Sequence, residues 1–294
     1  MAKKITTAVF PVAGLGTRFL PVTKSAPKEM LPIVDKPLIQ YVVEEAVAAG
    51  INQLILVTSY SKHAVEDYFD TNFELETRLK EKGKEDLLDV VHNIVPKGVS
   101  IVYVRQHAPL GLGHAVLCAK KVVGDEPFAV LLADDIIDCD GPYCLEQMVS
   151  FYEETGASVL AVEEVPTTET DKYGIVSLAE NPEVPTQIKA IVEKPAPKDA
   201  PSNLAVIGRY ILTPRIFALL EATESGVGGE IQLTDAIAKL LKEQPVTAFQ
   251  FSGTRYDCGS KVGFLEATIA YAMKRPELRE ALKKILNEKC CDGV

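Results

Sequence analysis

The chain has 294 residues, 47% of them hydrophobic and 24% charged, and a formal net charge of −10. This length suffices for one large α/β domain or two modest ones, and the composition is ordinary for a globular protein. The acidic balance argues against a general nucleic-acid-binding protein, which would present a basic face. A local basic cluster or a divalent cation can still attract a small anion.

Cysteine content and hydropathy narrow the class of protein further. The six cysteines form no CxxC pair, and only four histidines accompany them, which argues against a zinc site and against a disulfide framework. No segment reaches the roughly 20 consecutive apolar residues of a membrane span. We therefore expect a cytoplasmic protein that binds neither a membrane nor nucleic acid.

The first half of the chain alternates short apolar runs with helical patterns. The opening, MAKKITTAVFPVAGLG, superficially resembles a secretion signal, but Pro11 interrupts its short apolar run, which favours a buried first strand. The charged stretch 72–98 is predicted to be a helical insertion on the outside of the sheet. The patterns predict strands over residues 5–13, 53–58, 99–105 and 128–133, and helices over residues 37–49, 61–69 and 114–123.

In the second half, strand patterns follow one another more closely, with few helices between them. Strands are predicted over residues 157–165, 174–178, 187–193, 204–212 and 246–251, and helices over residues 214–222 and 232–242 and from 261 to 294. Together the two halves predict a single α/β domain over residues 1–294. Its core is a Rossmann-like, open, largely parallel mixed sheet flanked by helices, with a smaller sheet extension for a second substrate pocket.

The glycine-rich stretch PVAGLGTRF follows the first predicted strand. Phe19 stands where a dinucleotide-binding turn has its third glycine, and no Gly-Lys-Ser/Thr follows, so neither a Rossmann fingerprint nor a Walker A loop is matched. Glycines at 14 and 16 let backbone N–H groups approach an anion or a base, and Arg18 and Lys28 would hold phosphate oxygens. On the glycines alone, a plain strand-to-helix turn with solvated basic residues remains an alternative.

Acidic residues follow two other predicted strands, at the edge where ligands gather in open parallel sheets. Asp134 and Asp135 come directly after the apolar run FAVLLA, and Asp257 lies in a YDCG turn after the strand TAFQF. Such carboxylates suit Mg²⁺, which prefers hard oxygen ligands and takes few of them from protein. Asp134 could equally cap a helix, and the sequence leaves open whether Asp257 meets it.

Glu193 and Lys194 lie side by side at the end of the predicted strand IKAIVEKP. In a binding site, the carboxylate would hold sugar hydroxyls and the ammonium group would hold the phosphate of that sugar. A solvated pair on an edge strand is the alternative, and the residues alone do not decide between the two.

Taken together, these motifs resemble the sugar-nucleotide pyrophosphorylases over almost the full length of the chain. The resemblance is specific as an ordered set, although each motif alone is weak. The motifs are AGLGTRF-x5-SAPKEMLPIVDKP, QHAPLGLGHAV, LLADD, YGIV, VEKP, GGEIQLTDA and RYDCGSKVGF. Thymidylyl-transferring members usually carry a tryptophan-led turn where this chain has the YDCG turn at residues 256–259, so the resemblance favours the uridylyl-transferring branch.

The resemblance implies a fold of nucleotidyltransferase type and a reaction in which UTP and glucose 1-phosphate give UDP-glucose and pyrophosphate. It also implies Mg²⁺ as cofactor, a homodimer or homotetramer, a nucleotide-binding half at 1–155, a sugar-binding half at 156–260 and C-terminal helices at 261–294. The resemblance also implies a role for individual residues. The nucleotide would be bound by Ala13, Gly14, Glu29, Gln106 and Gly111, and the basic catalytic residues would be Arg18, Lys28 and Lys194. The sugar phosphate would be bound by Gly174, Glu193 and Lys194, and magnesium by Asp134 and Asp257.

Three other functions remain as alternatives. A dinucleotide-dependent oxidoreductase would explain the glycine turn, but no ribose-binding acid follows the second predicted strand, LILVTSYS. A non-catalytic sugar-nucleotide-binding homologue would be expected to lose Asp134, Asp257 or Lys194, and all three are present. A thymidylyltransferase that makes dTDP-glucose is the main competitor among enzymes.

Overall fold

The computed structural model describes residues 2–226 and 229–291, with the side chains of 289–291 left out. Gly228 of the motif GGEIQLTDA and residues 292–294 of the predicted C-terminal helices lie outside the described residues. The strands are β1 (Thr7–Pro11), β2 (Pro32–Ile33), β3 (Lys36–Pro37), β4 (Gln53–Thr58), β5 (Ser100–Arg105), β6 (Phe128–Leu131), β7 (Asp135–Asp138), β8 (Ser158–Glu164), β9 (Gly174–Leu178), β10 (Ile188–Glu193), β11 (Leu204–Leu212), β12 (Val246–Gln250) and β13 (Thr254–Asp257).

Helices connect most of these strands, as the alternating pattern of the sequence predicts. They are α1 (Leu38–Ala48), α2 (His63–Phe69), α3 (Phe73–Glu81), α4 (Glu85–His92), α5 (Leu112–Cys118), α6 (Lys120–Val123), α7 (Cys144–Thr155), α8 (Arg215–Glu221), α9 (Leu233–Leu240), α10 (Lys261–Lys274) and α11 (Pro276–Cys291). No helix in the described part of the chain is both long enough and apolar enough to cross a bilayer.

The main sheet combines a parallel part with an antiparallel extension, which confirms the predicted fold class. Its path is β10-β9-β11-β6-β1-β4-β5, and β8 also pairs with β11 and with β12. Strands β6, β1, β4 and β5 run parallel. Strand β11 runs antiparallel to β6, β8 and β9, so it joins the parallel part to the extension.

Two apolar cores cover the two faces of this sheet. In β1, Val9 packs into one core together with residues of α5, α8 and α9, whereas Ala8 and Phe10 pack into the other core beside α1 and α7. Successive side chains of a strand point to opposite faces. Burial on both faces therefore explains why the strand reads as an unbroken apolar run.

A short antiparallel ribbon lies beyond the end of β6. Strand β7 pairs with β13 so that Asp135 lies opposite Asp257. The alternative that Asp134 caps a helix is excluded, because the next element is strand β7. The predicted simple turn around residue 257 is also wrong in part, because Asp257 ends the antiparallel strand β13.

Most other predicted elements agree with the structure to within a few residues. Strands β4, β9 and β11 have the predicted bounds, and the insertion at 72–98 folds as helices α3 and α4. The helix predicted over residues 114–123 is divided into α5 and α6, and Pro37 pairs in β3 just before α1 begins. Helix α7 was not predicted, although Leu145, Met148 and Tyr152 are buried at helical spacing.

A buried ion pair connects α1 to the central strands. Arg209 on β11 is 0% exposed, and its guanidinium donates to both carboxylate oxygens of Glu45 at 3.0 and 2.8 Å. The same guanidinium donates to the backbone carbonyls of Leu132 and Asp135 at 3.1 and 2.8 Å. The pair thus holds the chain on both sides of Asp134.

Candidate functional site

A cleft of about 340 Å³ lies at the end of β6, between the parallel sheet and its extension. It brings together residues that are far apart in the sequence. Its lining includes six of the predicted site residues, namely Arg18, Asp134, Gly174, Glu193, Lys194 and Asp257.

The carboxylates of Asp134 and Asp257 converge at one wall of the cleft. A Cβ built on Gly259 would lie 2.8 Å from Asp134 Oδ2, 3.0 Å from Asp257 Oδ1 and 3.0 Å from Arg18 Nη2, so the two carboxylate oxygens and the Arg18 guanidinium border the same small space. Lys28 Nζ donates to Asp134 Oδ2 at 2.6 Å and Gly259 N to Asp257 Oδ1 at 3.0 Å. In the third nearby carboxylate, Asp135, both oxygens accept hydrogen bonds: Arg255 Nε donates to Oδ1 at 2.7 Å and Gly208 N to Oδ2 at 2.9 Å.

The two converging carboxylates differ in their electrostatic surroundings. Burial favours the neutral acid at Asp134, but Lys28 Nζ at 2.6 Å from Oδ2, with Arg18 farther away, holds the pKa of this carboxyl below its usual value. Burial and the adjacent Asp135 and Asp134 carboxylates raise the pKa of Asp257. A cation placed between the two oxygens would relieve the repulsion at Asp257.

Basic side chains lie beside these carboxylates. Lys28 is held in place by Asp134, and its pKa is raised because Asp134 and Glu29 outweigh the effect of burial. Arg18 is largely exposed, with its guanidinium 3.9 Å from Asp134 Oδ2. Arg18 therefore lines the cleft and Lys28 contacts its wall through Asp134. These are the two cations that the sequence predicts to hold phosphate.

Glu193 and Lys194 form the opposite wall. Thr234 Oγ1 donates to Glu193 Oε2 at 2.6 Å, which fixes the carboxylate, and Lys194 Nζ lies 3.5 Å from Glu193 Oε1. Lys194 adopts a φ of 45°, which is uncommon for a residue with a side chain. Gly174 pairs with Glu193 across the β9–β10 ladder, so these three residues share one edge of the cleft.

A second, smaller pocket of about 140 Å³ lies beside the glycine turn. It is lined by Ala13, Leu15, Ser59, Tyr60, Arg105, Gln106, His107 and Pro109. Gln106 is buried, and its amide nitrogen donates to the carbonyl oxygen of Gly111 at 3.1 Å and lies 3.0 Å from His114 Nδ1. The pocket therefore combines apolar walls with one oriented amide, which suits a heterocyclic base.

Four predicted site residues line neither pocket. One is Lys28, whose Nζ contacts Asp134 of the cleft wall, and the others are Gly14, Gly111 and Glu29. Gly14 lies in the exposed turn, 4.0 Å from Lys28 Cε when measured from its ideal Cβ. Gly111 has a φ of 96°, and a Cβ there would come within 2.7 Å of Glu230 Cβ, so only glycine fits. Glu29 is 1% exposed and pairs with Lys62 Nζ at 2.8 Å, so its carboxylate does not face either pocket.

Other residues of the cleft were not identified from the sequence. Arg255 binds Asp135 and lies over the ring of Tyr173, with its Cζ 5.1 Å from the ring centre. Thr234 positions Glu193 as described above. These residues lie within or beside the motifs YGIV, GGEIQLTDA and RYDCGSKVGF. The motifs were recognised in the sequence, but they did not indicate a role for these individual residues.

Known proteins are similar to this chain over nearly its full length. A family model described as nucleotidyl transferase matches residues 8–274. The UTP–glucose-1-phosphate uridylyltransferase of Staphylococcus haemolyticus is 52% identical over 286 residues, which are 97% of this chain and 99% of that protein.

Two solved structures are similar over nearly the whole chain. The UTP-bound UGPase from Acinetobacter baumannii has a TM-score of 0.88 at 51% identity, over 97% of this chain and 99% of that one. A UDP-glucose pyrophosphorylase complexed with UDP-glucose has a TM-score of 0.84 at 50% identity, over 92% of this chain and 100% of that one. With a family model spanning most of the chain and relatives of this identity, the chain belongs to the nucleotidyl transferase family.

Proposed function

We propose that this chain transfers the uridylyl group of UTP to glucose 1-phosphate, which gives UDP-glucose and pyrophosphate. The observation that carries the proposal is the convergence, in one cleft, of the carboxylates of Asp134 and Asp257 with Arg18 and the Glu193–Lys194 pair, beside a second, smaller pocket. A second cation, Lys28, contacts the cleft through Asp134. Relatives that are at least 50% identical over nearly the full chain are named for this reaction or have been solved with UTP or UDP-glucose bound. The family match also removes the dinucleotide-dependent oxidoreductase from the alternatives.

In this proposal the two substrates occupy adjoining parts of the site. Uracil enters the small pocket against Ala13 and Gln106, and the triphosphate runs past the glycine turn, where Arg18 and Lys28 hold it. Glucose 1-phosphate lies against β9 and β10, where the Glu193 carboxylate accepts hydrogen bonds from sugar hydroxyls and Lys194 pairs with the phosphate. The parts of the chain before and after residue 155 thus supply the nucleotide and sugar halves.

The chemistry is a single displacement at phosphorus. A phosphate oxygen of glucose 1-phosphate attacks the α-phosphorus of UTP in line, the bond from this phosphorus to the bridging oxygen breaks, and pyrophosphate leaves with that electron pair. The protein contributes position and charge, because holding both reactants in one geometry removes much of the entropic barrier. Lys194 orients the attacking phosphate, and Arg18 and Lys28 stabilise the charge on the triphosphate.

We include Mg²⁺ as the cofactor of this reaction. Two carboxylate oxygens border one space, and burial together with the acidic neighbours Asp135 and Asp134 raises the pKa of Asp257. A hard divalent cation fits such a pair of oxygens. The described residues contain no group of three or more acidic, histidine or cysteine side chains able to hold a metal, so phosphate and water would supply the remaining ligands. The ion, when bound, would neutralise charge on the phosphates.

In this proposal Glu29 positions the residues around it, through its ion pair with Lys62. Its carboxylate is buried against Lys62, and burial raises its pKa despite the nearby lysines. Lys62 follows Ser59 and Tyr60, which line the small pocket. The pair therefore joins the loop that carries Lys28 to the wall of the base pocket, and it positions both for the nucleotide.

Gln106→Leu should lower kcat/KM for UTP and reduce the preference for UTP over CTP. The Gln106 amide nitrogen is already used by Gly111 and His114, so the amide oxygen is the group that can accept the uracil N3–H. Cytosine has an acceptor at N3, and an unpaired polar group costs about 1–3 kcal/mol, so the wild type should favour UTP by at least about tenfold. Steady-state kinetics with both nucleotides measure the change. Full retention of the UTP preference in the variant would mean that the base is read elsewhere.

Lys194→Ala and Arg18→Ala should damage different substrates. Lys194→Ala should raise the KM for glucose 1-phosphate with little change for UTP, and Arg18→Ala should do the reverse. A lost charge-assisted contact is worth roughly 1.5–3 kcal/mol, or about 10- to 150-fold. Lys189→Ala, an exposed change on the same strand as Glu193, is the control and should alter neither constant. Equal damage to both substrates by either site variant would show that the pockets are misassigned.

A panel of nucleotides tests the proposed function itself. Pyrophosphate release should be measured with glucose 1-phosphate and each of UTP, dTTP, CTP and GTP. Thymine differs from uracil by one methyl group, which a pocket rejects weakly, so dTTP should be a slow substrate. A preference for dTTP would replace the proposal by the thymidylyl-transferring alternative, and absence of turnover would favour a non-catalytic binding protein.

Assembly and location belong to the same proposal. We expect a homodimer or homotetramer, which light scattering on the purified protein would measure. We also expect a cytoplasmic enzyme, because its nucleotide substrate is held there.

A further inference from the structure

The histidine at the start of α5 contacts the amide that faces the base pocket. His114 Nδ1 lies 3.0 Å from Gln106 Nε2, and the same Nε2 donates to the carbonyl oxygen of Gly111 at 3.1 Å. A carbonyl oxygen can only accept. The amide group must therefore direct its nitrogen, and not its oxygen, toward Gly111 and His114.

This orientation determines the tautomer of the histidine. An amide nitrogen has two hydrogens and no free lone pair, so Nδ1 of His114 must accept and the ring proton must be on Nε2. Burial and the nearby His107 lower the pKa of His114, which keeps the ring neutral. Cys118 Sγ, a weak donor, lies 3.9 Å from the same Nδ1, which agrees with an accepting nitrogen.

The amide oxygen of Gln106, Oε1, has no hydrogen-bond donor among the described residues, whereas both contacts of the side chain are made by Nε2. Gln106 also lines the base pocket. Because both hydrogens of Nε2 are directed toward Gly111 and His114, the Gln106 amide offers the base only its oxygen, which is an acceptor. Turning the amide over would break two hydrogen bonds and bring Oε1 against the carbonyl of Gly111 and the lone pair of Nδ1.

We propose that His114 is a positioning residue for base selection: its Nδ1 locks the Gln106 amide with the oxygen toward the pocket, so that uracil N3–H is accepted and the bare N3 of cytosine is rejected. The inference rests on the proposed function and adds a residue that does not itself reach the nucleotide. It assigns the selectivity to the pair formed by Gln106 and His114 and not to Gln106 alone.

The matched variants are His114→Leu and His114→Asn. Leucine removes the acceptor, whereas the side-chain oxygen of asparagine lies close to the position of Nδ1 and can replace it. The measurement is the ratio of kcat/KM for UTP to that for CTP at saturating glucose 1-phosphate. His114→Leu should lower this ratio about 2- to 10-fold, the value of one hydrogen bond, and His114→Asn should keep it near the wild-type value.

The outcomes separate this inference from the proposed function. A wild type that turns over UTP but does not prefer it to CTP overturns this inference, whereas absence of turnover with UTP contradicts the proposed function. If the wild type prefers UTP and His114→Leu loses activity equally with both nucleotides, His114 is only structural and the inference is wrong. Equal ratios in His114→Leu and the wild type also overturn it, as does a lower ratio in His114→Asn equal to that of His114→Leu.

A measurement on the unmodified protein guards against variants that fail to fold. Nitrogen-15 NMR of labelled histidine distinguishes the two neutral tautomers. The signal of His114, assigned by its absence in His114→Asn, should show a proton on Nε2 and none on Nδ1, both alone and with UTP. A proton on Nδ1 in the protein with UTP would overturn the inference.

Discussion

Asp134→Asn and Asp257→Asn should each lower kcat by at least about 100-fold, with much less effect on nucleotide binding measured without metal. The two carboxylates border one space at the wall of the cleft, and a lost contact to a catalytic cation removes several kcal/mol of charge stabilisation. Turnover is measured by pyrophosphate release, and UTP binding by calorimetry in the presence of a chelator. Asparagine keeps the size of the side chain, so packing should change little.

Asp138→Asn is the matched control for this result. Asp138 lies on the same strand, β7, but pairs with Lys274 at 2.5 Å outside the cleft. The Asp138→Asn variant should keep near-normal turnover. Near-normal turnover in Asp134→Asn or in Asp257→Asn would contradict the magnesium assignment. Asp135 would then need a metal role, although Arg255 and Gly208 already occupy both of its oxygens.

Glu45→Ala should lower the free energy of unfolding by about 3–5 kcal/mol, because it leaves the charge of Arg209 buried without its partner. The carboxylate also accepts from the backbone N–H of Leu145 at 3.0 Å, at the start of α7. Loss of Glu45 therefore removes the ion pair and a helix-end hydrogen bond together. Equilibrium unfolding in urea measures the change.

The neighbouring residue provides the control. Glu44 pairs with Lys36 at 2.7 Å at the surface, with both side chains at least 30% exposed. Exposed pairs contribute about 0–1 kcal/mol, so Glu44→Ala should change the unfolding free energy by no more than that. A Glu45→Ala variant as stable as Glu44→Ala would show that Arg209 finds other compensation.

Much of the fold could be predicted from periodicity. The buried parallel strands β1, β4 and β6 read as short apolar runs, and the helices between them read at helical spacing, so their order followed from the sequence. Short elements could not be predicted in this way. Strands β7 and β13 have four residues each, and their pairing depends on contacts between segments more than 100 residues apart.

The site shows the same division. Strand ends and glycine turns indicated where Asp134, Glu193 and Lys194 would lie, because polar residues after buried strands collect at one edge of the sheet. Their convergence with Asp257 required the ribbon of β7 and β13. The sequence also does not reveal which hydrogen-bond partner each carboxylate has. From the sequence Asp135 could be a second metal ligand, but in the structure its carboxylate accepts a hydrogen bond from Arg255.

Glu29 makes a contact that the motif did not indicate. The resemblance implied a nucleotide contact, and the residue does lie next to Lys28. Its burial against Lys62 depends on α2 packing over this loop, which sequence spacing does not reveal. Contact with the nucleotide stays a prediction for Ala13, Gly14, Glu29, Gln106 and Gly111.

The central claim is that the sugar phosphate attacks the α-phosphorus of UTP, and the fate of labelled phosphorus tests it most directly. UTP labelled at the α-phosphorus and UTP labelled at the γ-phosphorus should be incubated separately with glucose 1-phosphate, magnesium and the wild-type protein. The account predicts that the α label appears in UDP-glucose and the γ label in pyrophosphate, in equal amounts. Transfer of the γ label to the sugar product, or release of the α label as UMP without UDP-glucose, would contradict it.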